Sequence, residues 1–98
     1  MKNTIANYQI DKSDLNSVLF FDKEVLESPV EKVDRNIKLM RSLSLGNLYK
    51  QHVKIVFKDN ESRLFKTTVT VWAVTESYVL LKGGVHIPIK SIVEVELS

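Results

Sequence analysis

Ninety-eight residues fit one domain, and a chain of this size buries only about 60 to 65% of the surface its unfolded form exposes, so its core is thin. With 44% hydrophobic and 27% charged residues, 3 Gly and 2 Pro, the composition excludes a disordered or fibrous chain. A net charge of +2 by itself points to neither nucleic acid nor a membrane surface, and the absence of cysteine excludes disulfides, thiolate metal ligands and cysteine nucleophiles.

Cysteine usage fits a reducing compartment. The first ten residues lack the continuous apolar stretch of a signal peptide, and no window approaches the eighteen or so apolar residues of a membrane span. The expectation is a cytoplasmic protein whose mature chain is the whole chain. Charge is even along residues 1–49, with seven basic and seven acidic side chains, whereas residues 50–98 carry seven basic against five acidic. The small excess therefore resides in the C-terminal half.

Residues 1–27 form a polar N-terminal arm with one apolar knot, Val18, Leu19, Phe20 and Phe21. Either Ser13 or Asp14 caps a short helix carrying Leu15, Val18 and Leu19, or Val18 to Phe21 is an extended arm that docks on a sheet edge or a neighbouring subunit. Phe20 and Phe21 are unsuited to water and are candidate oligomer contacts.

Residues 28–98 read as one domain of a helix followed by strands. Ser28-Pro29-Val30-Glu31 combines an N-cap serine, a proline at the first helical position and a capping-box glutamate, so a helix starts there. Val30, Val33, Ile37 and Met40 recur at steps of three and four, with Leu39 and Leu43 widening the stripe, which makes one face apolar. Glu31 with Arg35 and Asp34 with Lys38 are i,i+4 pairs on the opposite face. Gly46 is the expected left-handed stop, giving a helix over roughly 29–45.

From Gln51 the period falls to two, with Val53, Ile55 and Phe57 alternating against Lys54 and Lys58. Asp59 to Ser62 is turn chemistry. Phe65 to Thr75 is a run too long to stay flat in so small a sheet, and it is expected to bend; Trp72 within it is expected in the core. Tyr78 to Lys82 is the third strand, Gly83-Gly84 a hairpin turn needing positive φ, and His86 to Lys90 the fourth strand, in which Pro88 requires an edge. Ser91 to Leu97 closes the set.

Residues 48–97 resemble the Sm-like fold. Val53-Lys54-Ile55-Val56-Phe57-Lys58-Asp59 resembles its first strand and turn, Ala73 to Lys82 its turn and third strand, and Ile87-Pro88-Ile89-Lys90-Ser91-Ile92 its closing motif. The resemblance implies a mainly β fold with an N-terminal α-helix: a five-stranded, strongly bent antiparallel Sm-like (SH3-like) barrel. The Arg-Gly pair of eukaryotic and archaeal Sm proteins and the Lys-His pair of bacterial Hfq-type RNA chaperones are both missing, so RNA binding is not inherited from it. The arm-plus-helix layout is also similar to that of the Rho-binding antiterminators, small Sm-like proteins that bind a protein partner.

No nucleophile–base pair or cleft-forming carboxylate pair stands out, so no catalytic residue, cofactor, metal or small-molecule substrate is expected. Two functions remain. The first is a non-enzymatic interaction or assembly module whose helix, Phe20-Phe21 arm and sheet edge dock on a protein partner or on another copy of the chain. The alternative is an RNA-binding post-transcriptional regulator. It uses Lys54, Lys58, Tyr78, Lys82, His86 and Lys90, with Tyr78 stacking on a base and the lysines on phosphate.

Overall fold

A computed structural model describes residues 8–97; residues 1–7 of the expected arm, and Ser98, lie outside the described residues. In chain order the elements are β1 (Tyr8–Gln9), a 3₁₀ turn (Lys12–Ser17), α1 (Pro29–Tyr49), β2 (Val53–Lys58), β3 (Leu64–Val69) and β4 (Val71–Val74). Then come β5 (Tyr78–Leu81), β6 (His86–Pro88), a second 3₁₀ turn (Ile89–Ser91) and β7 (Ile92–Glu96). The fold is mainly β with one helix among the described residues.

The strands form two sheets, ordered β1-β3-β2-β7 and β4-β5-β6, and not a closed barrel. Five strands were expected and seven are present among the described residues, for two local reasons. The arm contributes β1, which runs parallel to β3 with Tyr8 opposite Phe65. The long run from Phe65 breaks at Thr70, whose carbonyl leaves the ladder to accept the Lys82 N–H at 3.0 Å. β3 therefore stays with β2 while β4 pairs antiparallel with β5, and the bend passes the chain from one sheet to the other. The fourth strand also stops short of Lys90, because residues 89–91 wind into the 3₁₀ turn that leads to β7.

Alternation in β2 buries Val53, Ile55 and Phe57, which join Val69, Val71, Val79, Leu81, Ile87, Ile92 and Val95 in one core between the sheets. The Lys82-Gly83-Gly84 turn follows the sequence expectation, with φ of 100° at Gly83 and 87° at Gly84, a conformation open to glycine at no steric cost. Trp72 departs from it. Val69 and Val71 take the inward positions, which leaves the indole of Trp72 on the outward side, 46% exposed, at the irregularity between Val71 and Ala73.

The described part of the arm folds back on the domain. Leu15 from the first 3₁₀ turn is buried in the core, and Phe20 packs on Phe57 with ring centroids 5.1 Å apart. Phe20 bridges to Asp59, Phe21 N–H donates to Lys58 O at 3.0 Å, and Asn60 N–H donates to Leu19 O at 2.8 Å. Val18, Phe20 and Phe21 of the apolar knot are thus docked on their own chain, while Leu19 is exposed.

Candidate interaction surface

α1 begins as its sequence requires: Ser28 is extended, its hydroxyl accepts the Glu31 N–H at 3.4 Å, and Pro29 occupies the first position. Its end differs from expectation. Gly46 lies inside the helix, which continues to Tyr49 and stops at Lys50, a non-glycine residue with φ 56°. Gly46 serves a different purpose: a Cβ there would run into the Val71 carbonyl oxygen and lie 3.2 Å from Thr70 Cγ2. Its missing side chain lets the helix axis approach β4.

The face turned to the sheets is Arg35, Leu39, Ser42 and Gly46, all buried and spaced four, three and four apart. Ser42 Oγ satisfies itself on Lys38 O at 2.7 Å. Arg35 reaches through the contact, donating to Ile92 O at 2.9 Å and, in a two-pronged pair, to Glu24 Oε2 at 2.8 Å and Oε1 at 2.7 Å. One buried guanidinium therefore ties the arm, α1 and β7 together. Burial pushes the Glu24 carboxyl up, but the Arg35 hydrogen bonds, the Leu26 N–H and the charges of Arg35 and Lys32 outweigh it and hold the carboxyl below its usual value.

With that face inward, the apolar stripe points the other way. At 100° per residue, positions 30, 33, 37 and 40 lie roughly half a turn from 35, 39, 42 and 46. Val30, Val33, Ile37, Met40 and Leu48 are 77, 57, 48, 54 and 73% exposed. Beside them a groove of about 640 Å³ runs between Ile37, Met40, Arg41, Leu45 and Leu97. Scattered exposed apolar residues are ordinary, whereas a helical row of them with a groove at its flank is a candidate docking surface. Periodicity located this stripe; it did not orient it. The missed signal was the second row, where Arg35, a small serine and a glycine mark a close polar contact.

The residues expected to contact a partner or RNA divide between the two sheets. Lys54 and Lys58 lie on β2, with Lys58 Nζ over the Phe21 ring at 5.1 Å and Lys54 opposite Glu96. Tyr78 and His86 come together on adjacent strands, edge to face at 6.1 Å, and Tyr78 stays 47% exposed. Lys82 sits in the turn before β6 and Lys90 in the 3₁₀ turn after it, both exposed. Phe20 and Phe21 are half-buried against β2 and the Asp59 turn.

That turn is built around a buried carboxylate. Asp59 accepts from the N–H of Glu61 at 3.0 Å and of Arg63 at 2.8 Å, and from Arg63 Nε at 2.8 Å. Burial opposes its charge, and these donors with the Arg63 charge outweigh that, leaving the carboxyl below its usual value. Among the described residues no group of three or more His, Asp or Glu is placed to hold a metal ion, and no helix is long and apolar enough to cross a membrane.

No family model, curated protein or solved structure matches the chain.

Proposed function

We propose that this chain is a non-enzymatic interaction and assembly module of the Sm-like, SH3-like kind, which docks on another protein surface through the outward face of α1. The single observation that carries the proposal is the direction of the apolar stripe: Val30, Val33, Ile37 and Met40 are exposed while Arg35, Ser42 and Gly46 of the same helix are buried beside Leu39. The Sm-like architecture is supported by strand order. β7-β2-β3 followed by β4-β5-β6, with β3 and β4 as halves of one bent strand, follows the layout that residues 48–97 resemble.

Replacing Val33, Ile37 and Met40 together by serine tests the proposal. Because these side chains are largely exposed, the triple variant keeps its fold by circular dichroism but loses self-association or partner capture by light scattering. A triple variant with unchanged association refutes docking through α1.

A second reading, RNA binding, draws on the exposed Trp72, Tyr78 and His86 of the three-stranded sheet, near Lys82. Stacking on such a platform is worth about 1 to 3 kcal/mol per base, and the attached phosphate contacts weaken steeply with salt. Size-exclusion chromatography with and without nuclease, recording absorbance at 260 and 280 nm, tests it. Absence of oligonucleotide binding at low salt rules it out.

A further inference from the structure

We infer that the occupant of the α1 face is a second copy of this chain, packed antiparallel about a two-fold axis between Ile37 and Met40, with Asp34 of each copy against Arg41 of the other. The inference rests on the α1 docking proposal and adds the partner and its register.

The exposed row has the three-four spacing of a heptad seam, with Val30 and Ile37 at one core position and Val33 and Met40 at the other. Asp34 and Arg41 follow Val33 and Met40 directly, so each flanks the seam on the same side. Three pairings of two such helices are worth comparing. A parallel pair aligns the dipoles unfavourably and places Asp34 beside Pro29 and Arg41 beside Asn36 of the other copy, with no charge complement. An antiparallel pair centred nearer the N-terminus layers Val33 on Ile37, but sets the two Asp34 carboxylates against each other and leaves Leu48 in water. Layering Ile37 on Met40 instead brings Asp34 to Arg41 twice by symmetry and lays Leu48 of one copy over Val30 of the other. Ser44 and Asn47 continue the heptad and lie opposite Val33 and Val30, and of the three pairings this register alone brings Leu48 into the seam and complements the charges.

Asp34 already touches Lys38 of its own helix at 3.1 Å, both ends solvent-exposed to a third or more. A carboxylate accepts from two cations at once, so Arg41 of the partner adds to that pair. From Val30 to Leu48 the seam is about 27 Å long at the helical rise. One helix per partner buries less than a standard interface, which places the dimer in the weak, micromolar class.

The experiment is sedimentation and light scattering of the full chain from low to high micromolar concentration at low salt, comparing wild type, I37D, D34R, R41D and the double variant D34R/R41D. The wild type is expected to reach twice its 11.2 kDa monomer mass. I37D stays monomeric. Each single charge variant sets like charges together twice and weakens the dimer roughly tenfold or more. The double variant restores opposite charges and returns to within a few-fold of wild type. A double variant as weak as the singles overturns the register while leaving α1 as the docking face. A wild type that remains monomeric overturns the second copy as occupant. A dimer that persists in I37D overturns both this inference and docking through α1.

Discussion

Gly46→Ala separates two effects of opposite sign. At an exposed position in a helix interior, alanine is better than glycine by about 1 kcal/mol. At position 46 the new methyl would collide with the Val71 carbonyl oxygen and press on Thr70 Cγ2 at 3.2 Å. The obstacle is the backbone of β4, which is held by β5 and cannot swing aside as a side-chain tip does. Either α1 lifts from the sheet or the overlap persists, and overpacking of this kind costs about 1 to 3 kcal/mol, sometimes more.

A rigid backbone obstacle puts the cost at the upper end of that range, so the net loss is about 1 to 2 kcal/mol after the propensity gain. For a domain of this size that lowers Tm by about 4 to 16 °C. Circular dichroism melts and urea midpoints at one fixed protein concentration measure it, since association shifts apparent stability. Asn36→Ala, on an exposed turn of the same helix, is the control and gains a few tenths of a kcal/mol by propensity alone. A Gly46→Ala midpoint at or above wild type refutes the close approach of α1 to β4.

Glu24→Ala removes the two-pronged carboxylate partner of the buried Arg35 and leaves its hydrogen bond to the Ile92 carbonyl, at a cost of about 2 to 4 kcal/mol, discounted because Glu24 is partly exposed. Arg35→Met removes the charge itself and costs less; urea midpoints in the reverse order contradict this account of the pair. Asp59→Ala removes the acceptor for two backbone N–H groups, a loss of about 2 to 4 kcal/mol, and speeds amide exchange at Phe21 and Asn60, whose bonds fix the arm to the turn. Both Glu24 and Asp59 are held below their usual carboxylate values in the folded state. Their contribution is therefore complete above the unfolded value of about 4 and is lost as pH falls through the lower folded values. Stability is flat from neutrality to about pH 5 and declines below about 4, with a shallower decline in Glu24→Gln; urea midpoints across pH 2 to 7 read the slope.

Much of the fold was legible because it rests on local signals. Ser28-Pro29 with Glu31 started the helix where it starts, period-two alternation placed Val53, Ile55 and Phe57 in the core, and the paired glycines made their turn. What was illegible depended on relations between elements. Gly46 looked like a helix stop because glycine most often serves as one, and only the nearby Val71 carbonyl explains it. Trp72 looked like core because its neighbours are apolar, but Val69 and Val71 take the inward positions and leave it outside. The division of Lys54 and Lys58 from Tyr78, Lys82 and His86 follows from the break at Thr70, which alternation alone does not locate.

The orientation of α1 follows from the same kind of relation. An apolar stripe turned inward would have buried Val33, Ile37 and Met40, gaining roughly 1.5 to 3 kcal/mol for each side chain fully removed from water. The helix gives up that gain. Its other face offers an approach that only Gly46 and Ser42 permit, together with a buried Arg35 that joins Glu24 of the arm to Ile92 of β7. Turning the helix over would place bulky side chains where Gly46 meets Val71, strip Glu24 of its partner and leave Arg35 outside. The inward face is thus set by fit and charge pairing. The apolar residues left outside remain available for burial against another surface.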